Sequence, residues 1–522
     1  MNLVEVLDRR ARRHPERPAI VEGAGRRRRV VSYADLERRS AAGARFLADR
    51  GVREGEAVLF VHPVSIELYE ALLAVFRLGA AAVFVDPSAG RGVVAAAVRR
   101  LAPRAFFGSP KAHLLRLIQP GVLRIPVQIS TGGWAPAIRW GRAAAGEAPI
   151  ADCGPEAPAL VTFTSGSTGA PKAAVRTHRF LLAQYEILSK SIGLRDGQTD
   201  LVTLPVFVFA NLAAGVTSVL ADTDLSRPGA ADGRRVGRQM EAESVTRVTA
   251  SPAFFEALLR READLGGLGG IYTGGAPVFP SLLRRLRTAA PGARVEAVYG
   301  STEAEPIAHV AEDEIDAGDL EEMRTGGGLL AGRPVDEVRL AVLANRWGTP
   351  LGMLTAEEFA AAKLAAGVAG EIAVTGPHVL KGYLDGRGDE ETKFRAGDDV
   401  WHRTGDAGRL DHSGRLWLLG RAGAVIRRPE GALYPFAVEA ALSFRDDVRR
   451  SALVELGGEA VLAVEFHETK RGSGLAGVRE TVSWARLDRV VELPAIPVDR
   501  RHNAKVDHLA LKRVLGKVRF PG

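Results

Sequence analysis

Short apolar runs alternate with amphipathic stretches along the first two-thirds of the chain. "AVLFVH", "AAVFVD" and "RAFFG" are β-rich runs, and between them "SIELYEALLAVFRLG" carries apolar residues at helical spacing. "SYADLERRSAAGARFLADRGV" has the same periodicity, opens on a Ser suited to an N-cap and closes on a Gly. The alternation continues through "ALVTFT", "RVTAS", "GIYTGG" and "RVEAVYG". Such alternation predicts parallel sheets covered by helices, with ligands at the carboxyl ends of strands. After about residue 325 the texture changes. "TGGGLLAGRPVDEVRLAVL", "GEIAVTGPHVLKGYL" and "GRLWLLGR" read as short strands punctuated by glycines, which suits a small barrel or sandwich. The last hundred or so residues predict a separate small α+β domain, with a helix over "YPFAVEAALSF", strands over "RSALVEL" and "AVLAVEFH", and a closing helix over "VDHLALKRVLGKV".

Size and composition narrow the picture. A chain of 522 residues, 46% hydrophobic and 25% charged, is long enough for more than one domain with a large core. No apolar run approaches the ~20 residues that span a bilayer, and the start does not read as a signal peptide. Cys153 stands alone, which rules out an intramolecular disulfide and points to a cytoplasmic setting. The net charge of +8 is a modest bias over this length, not a nucleic-acid footprint. The one dense basic run, "GRRRRVV" at 25–31, predicts a solvated hairpin turn.

The richest chemistry lies in "LVTFTSGSTGAPK", residues 160–172. A strand there delivers Thr164, Ser165, Ser167 and Thr168 where its ladder ends, while Gly166 and Gly169 permit positive φ and converging backbone N–H groups. Lys172 adds a fixed cation, so the segment suits phosphate oxygens, although G-x-x-x-x-G-K-[ST] cannot be laid over it.

This loop resembles that of the adenylate-forming superfamily of acyl-CoA synthetases, luciferases and adenylation domains. Four more segments match in order: "TGGAP" (273–277), "VYGSTEAEP" (298–306), "HRTGDAGRLDHSGRLWLLGR" (402–421) and "RHNAKVDHLAL" (501–511). The resemblance implies a large N-terminal α/β domain, residues 1–420, of two stacked doubly wound sheets plus a small β-barrel at about 325–420. A mobile α+β domain, 421–522, would carry the catalytic lysine. It also implies ATP and Mg²⁺. Residues 164–172 would grip the β and γ phosphates, and Gly274, Gly275, Ala276 and Pro277 would lie beside the adenine. Tyr299 would present its ring, next to Gly300, and Asp406 would accept from the ribose hydroxyls near Arg421. Thr302 would reach the α-phosphate, Glu303 would hold Mg²⁺, and Lys505 would act in catalysis.

The departures are specific. Ala173 stands where Gly is common, Ala422 and Gly423 follow Arg421 where a charged hinge residue is usual, and "LPVFVFANLAAG" lacks the superfamily's aromatic-His stretch. That segment and "SPAFFEALL" are candidates to line an apolar acyl pocket. "VFVDPSAGR", "GVTSVLADTDLSRP", "PVDRRHNAK" and "EGALYP" are similar to segments of the β-lactone synthetases of bacterial olefin biosynthesis. For that branch the implied substrate is a long-chain β-hydroxy acid and the implied partners are enzymes that make or consume it. Two alternatives stay open: an acyl ligase using CoA or a carrier-protein thiol, and a nucleotide-binding protein without turnover. The residues single out no base for a substrate hydroxyl; His309 and His402 lie near motifs, as solvated or structural groups. Oligomeric state is not encoded in any of these patterns.

Overall fold

The apolar runs of the first two hundred residues become strands buried on both faces, as parallel strands covered by helices must be. The structure, a computed structural model, describes residues 1–85, 91–141, 146–165, 171–261, 263–467, 474–498 and 506–517. The chain divides into two compact units: Met1–Asp222 with Pro377–Glu390, and Thr223–Gly376 with Glu391–Gly522.

In the first unit, seven strands form one sheet: β1 (Ala57–Val61), β2 (Ala81–Phe84), β3 (Ala105–Gly108), β4 (Val127–Ser130), β5 (Ile138–Arg139), β6 (Pro158–Ser165) and β7 (Pro171–Thr177). Their order is β5-β4-β3-β1-β2-β6-β7, and every neighbouring pair is parallel except β6 with β7. The chain reverses its direction of travel across the sheet at β1 and β3, the doubly wound topology. Helix α1 (Ile66–Arg77) starts where the Ser65 hydroxyl accepts from the Leu68 N–H at 3.3 Å. Helix α2 (Arg91–Leu101) packs Val94 against Leu59, Val83, Phe106 and Phe163. The same unit pairs Pro18–Glu22 with Thr217–Leu220 in parallel and with Arg29–Ser32 in a hairpin. The basic run is the exposed turn of that hairpin, as its flanks predicted, and Arg29 folds back onto Glu22 and Glu67.

In the second unit, β8 (Arg247–Ala250), β9 (Gly270–Gly274) and β10 (Arg294–Ser301) run parallel, and β10 turns back as β11 (Ala304–Ala311). The segment expected as a small barrel consists of β12 (Leu329–Pro334), β13 (Arg339–Leu343), β14 (Gly370–Thr375), β15 (Asp399–Leu410) and β16 (Leu416–Arg421). Its main path is the open order β13-β14-β15-β16-β12-β11 rather than a closed ring. Gly332, at φ +87°, marks a register shift in β12: Leu329 and Leu330 pair with β16 before it, and Arg333 and Pro334 pair with β11 after it. A Cβ at Gly332 would stand 2.1 Å from the His309 carbonyl oxygen, so only glycine makes this bend.

The last part of this unit has its own three-stranded sheet, β17 (Val448–Leu456), β18 (Glu459–Phe466) and β19 (Arg489–Glu492). Alternate β18 residues serve opposite faces. Leu462 and Val464 pack with Val438 and Leu453, whereas Val461 and Ala463 pack with Leu511 and Leu515. Among the described residues no helix is long and apolar enough to cross a membrane.

Candidate active site

The expected phosphate loop begins and ends on a hairpin. Thr164 pairs with Lys172 and Ser165 with Pro171, so the strand and its return are in register up to the loop. Gly166, Ser167, Thr168 and Gly169 lie outside the described residues. Lys172 is not a loose surface cation: it is 7% exposed on β7, with Nζ 5.7 Å from the Tyr383 ring centroid. The segment carrying Tyr383 also brings Gly388 (φ +97°) onto the lysine methylenes, where a Cβ would stand 2.7 Å from Cε. A lysine clamped along its stem presents its charge from a defined base. Ala173 is fully buried in the strand and its φ is not positive, so the methyl departs from the family pattern without strain.

An open cleft of about 400 Å³ lies in the first unit at the carboxyl ends of β1, β2 and β3, where the topology reverses. Phe60 and Phe84 line it with His62, Ser109, Lys111 and Leu115. The His62 ring is held by the Pro63 carbonyl at 2.7 Å and the Thr131 hydroxyl at 2.8 Å, and burial lowers its pKa. No motif in the sequence marks this cleft. The helix Pro205–Ala214 and the pair Phe254–Phe255, candidates for an acyl pocket, are core elements. Phe209 packs against Tyr69, Phe76 and Tyr185, and both Phe254 and Phe255 are wholly buried.

In the second unit β9 ends at Gly274, whose bare Cα lets Val298 O approach; a Cβ would lie 2.6 Å from that oxygen. Gly275 follows at φ +80°, then half-buried Ala276 and Pro277. The β10–β11 hairpin supplies the next group. Ser301 pairs with Ala304, so Thr302 and Glu303 are the two residues of the turn, and the Glu303 N–H donates to Ser301 Oγ at 3.2 Å. Gly300 lies at the register shift just before it, with little room for a side chain beside Ala304 O and Glu305.

Residues far apart in sequence converge here. The Tyr299 hydroxyl donates to Asp406 Oδ2 at 2.7 Å, and Arg421 Nη1 stands 3.2 Å from Asp406 Oδ1, directly opposite in the β15–β16 ladder. Burial, followed by the Asp406 charge, holds the Tyr299 phenol protonated far above its ordinary range. Asp406 foremost, and Glu303 with it, raise the Arg421 pKa, so Glu303 is within electrostatic reach of this group. The Asp406 N–H donates to Thr404 Oγ1 at 3.1 Å, which fixes the backbone of β15 at the carboxylate. One carboxylate thus stands between a phenol and a guanidinium, with lone pairs on both oxygens left to accept from a diol.

Trp347 was not legible as a site residue. Its ring lies against Gly405 of the "TGD" turn and Gly423 just after Arg421, where added Cβ atoms would stand 3.1 and 2.9 Å from ring carbons. Asn345 positions it, accepting from the Trp347 N–H at 3.0 Å and donating to the Ala422 carbonyl at 2.9 Å. The small pair Ala422–Gly423 is therefore what the indole requires. A solitary Trp in the turn-rich "ANRWGTP" was the available signal.

The two nearby histidines are engaged elsewhere: His309 Nδ1 with Glu296, which raises its pKa, and His402 Nδ1 with Lys393 Nζ at 3.1 Å. Lys505 lies outside the described residues, as do Asp86 and Pro87. Among the described residues no three His, Cys, Asp or Glu side chains cluster as a metal site. Glu303 alone at a hairpin tip fits a Mg²⁺ that takes one protein carboxylate and otherwise binds phosphates and water.

Tyr299→Phe is expected to raise KM for ATP about tenfold with kcat little changed, since a charge-assisted hydrogen bond to a half-buried carboxylate is lost. Steady-state kinetics at varied ATP checks this, and an unchanged KM would remove the Tyr299–Asp406 pair from nucleotide binding.

Comparison with known proteins identifies the family. A family model described as AMP-binding enzyme matches residues 7–384. Olefin β-lactone synthetases of Xanthomonas campestris pv. campestris and Stenotrophomonas maltophilia are 32% and 33% identical, each over 97% of this chain and 96% of theirs. A feruloyl-CoA synthase of an Amycolatopsis species is 28% identical over 93% of both chains. The fold is shared with an amide bond synthetase from Marinactinospora thermotolerans, at TM-score 0.80 and 23% identity over 98% of this chain and 99% of that one. It is shared too with the Bacillus subtilis O-succinylbenzoate coenzyme A synthetase in complex with AMP, at TM-score 0.77 and 21% identity over 99% of each chain. The chain belongs to the AMP-binding enzyme family and is an ATP-dependent, AMP-forming ligase.

Proposed function

We propose that the protein converts a long-chain β-hydroxy acid into a β-lactone in two steps at one site in the cytoplasm. First, a carboxylate oxygen attacks the α-phosphorus of ATP and the bond to the β-phosphate bridge breaks, releasing pyrophosphate. Charge builds on the non-bridging oxygens, so fixed donors and cations are needed there. Residues 164–172 hold the leaving phosphates, with Lys172 as the stem-clamped cation. Thr302 donates to the α-phosphate, Asp406 orients the ribose, and Tyr299 and Arg421 hold Asp406. Glu303 would ligate Mg²⁺, which supplies charge neutralisation when bound. Lys505 comes from the 421–522 segment, which acts as the small mobile domain.

In the second step the substrate's own β-oxygen attacks the acyl carbon. The acyl–phosphate C–O bond breaks, AMP leaves, and the hydroxyl proton passes to water. Ring strain opposes closure, but holding hydroxyl and carbonyl in near-attack geometry removes most of the entropic barrier. The observation that carries this reading is the 32–33% identity to two olefin β-lactone synthetases across nearly the whole chain. The 28% identity to a feruloyl-CoA synthase favours a second reading, in which a thiol takes the acyl group.

The test is incubation with ATP, Mg²⁺ and a long-chain β-hydroxy acid without CoA, followed by NMR and mass spectrometry. A product lighter by one water with lactone ring-proton signals is expected. An adenylate that turns over only when a thiol is added would replace this reading with the second, and no pyrophosphate with any acid would leave a nucleotide binder.

A further inference from the structure

The +8 charge of the chain is not spread evenly. Residues 87–146 contain nine of the 70 lysines and arginines and none of the 62 acids, so outside this stretch acids outnumber bases by one. The protein's entire positive excess sits within sixty consecutive residues of the first unit.

The same stretch carries an unusual concentration of exposed apolar side chains. Helix α3 (Leu115–Ile118), the turn before it, and helix α4 (Pro120–Leu123) expose Leu114, Leu117, Ile118 and Leu123; the segment leading into β5 exposes Trp134, and β5 itself exposes Ile138. Leu117 is 81% exposed and Trp134 63%. Six of the thirteen exposed large hydrophobics among the described residues therefore fall within 25 positions. Tertiary contacts hold them together at the β5 edge of the seven-stranded sheet. Arg116 Nη1 donates to the Pro136 carbonyl at 2.9 Å, joining α3 to the Trp134 segment, and Ile138 pairs with Ile129. Gln128 Nε2 donates to the carbonyls of Val122 and Ile125 at 2.9 and 2.8 Å, tying the end of α4 to β4. Lys111, Arg124 and Arg139 are exposed around this apolar group.

Clustered apolar side chains with exposed cations beside them, in a stretch of sequence without acids, match the charge and polarity of a bilayer interface, with aliphatic and indole groups for the acyl boundary and basic groups for anionic headgroups. We propose that this edge of the first unit docks on anionic phospholipid membranes. A second copy is a poor occupant, because a symmetric contact would set cations against cations. The inference does not depend on which acid the enzyme activates or which acceptor takes the acyl group.

The test is co-sedimentation of the full-length protein with vesicles of phosphatidylcholine alone, or with a minority of phosphatidylglycerol, at low and high salt. Tighter binding to the anionic vesicles, by at least about tenfold, is expected from several basic residues near the surface, and salt is expected to weaken it. Leu117→Asp with Trp134→Asp is expected to abolish binding while ATP–pyrophosphate exchange and near-UV circular dichroism stay at wild-type level. Replacing Lys111, Arg124 and Arg139 by Gln is expected to remove the preference for phosphatidylglycerol. Trp134 emission is expected to shift to the blue on anionic vesicles, a change missing in Trp134→Phe. Binding that survives the Leu117/Trp134 change, equal binding to both vesicle types, or no binding at all overturns the proposal. A wild-type dimer that the Leu117/Trp134 change dissociates, seen by sedimentation velocity without lipid, would overturn it in favour of self-association.

Discussion

Lys505→Ala is expected to slow ATP–pyrophosphate exchange by about two to three orders of magnitude and to leave ATP binding within a few-fold, the loss typical of one preorganised charge at a developing oxyanion. The expectation rests on the proposed mechanism and on what flanks the lysine. Val498 bridges to Val506, and Asp507 caps the helix His508–Leu515 by accepting from the Ala510 N–H at 2.9 Å. Leu511 and Leu515 anchor that helix in the core of the three-stranded sheet. The bridge at Val506 and the capped helix that starts at His508 give the chain just after the lysine fixed neighbours. In the proposed mechanism adenylation needs it only while charge accumulates on the α-phosphate, so kcat should suffer and ground-state affinity should not. Lys505→Arg keeps the charge on a planar fork and should recover part of the rate. Calorimetric ATP binding beside isotope exchange separates the cases. A variant that exchanges at the wild-type rate would remove Lys505 from the first step. A variant that also fails to bind ATP would make it a ground-state ligand.

The sequence carries the site residues but not their company. Strand positions were legible because strands buried on both faces read as unbroken apolar runs, and "AVLFV" and "AAVF" are just that in β1 and β2. Motifs such as "TGGAP" and "VYGSTEAEP" were legible because each sits at a strand end or tight turn, as Gly274 does at the end of β9 and Thr302 and Glu303 do between β10 and β11. What stayed hidden depends on long-range pairing. Tyr299 and Asp406 are 107 residues apart, and nothing local says that the phenol donates to that carboxylate. The burial of Lys172 depends on Tyr383 and Gly388, which return to the first unit from beyond most of the second. The open strand order at 325–420 was hidden because it is set by long-range pairing, β12 with β16 on one side of Gly332 and with β11 on the other; glycine-rich short strands fit a closed barrel equally well. The cationic apolar edge was hidden by averaging, since a net charge over 522 residues does not show that all of it sits in sixty.

Arg403→Met is expected to destabilise the second unit by about 3–5 kcal/mol, the cost of leaving one member of a buried ion pair alone. Arg403 and Glu371 are each 1% exposed and joined through both guanidinium Nη2 contacts, at 2.8 and 3.0 Å. Burial pushes the Glu371 pKa up even with the guanidinium opposing it, so an unpaired Glu371 would be protonated or would draw in water. Arg403 also donates to the Thr349 carbonyl at 2.8 Å and lies over the Trp347 ring at 5.3 Å, three residues before Asp406 on β15. It thereby fixes the indole and the strand that carry the nucleoside end of the proposed site. Arg403→Met with Glu371→Leu removes both charges and should regain most of the lost stability, because a buried pair replaced by apolar groups is often neutral. KM for ATP should nevertheless remain raised in the double variant, since neither apolar group restores the hold on Thr349 and Trp347. Urea midpoints report the first effect and ATP-dependent kinetics the second. If the double variant is as unstable as Arg403→Met, the cost is not an uncompensated carboxylate. If it binds ATP as the wild type does, Arg403 supports the fold alone and has no part in positioning Asp406.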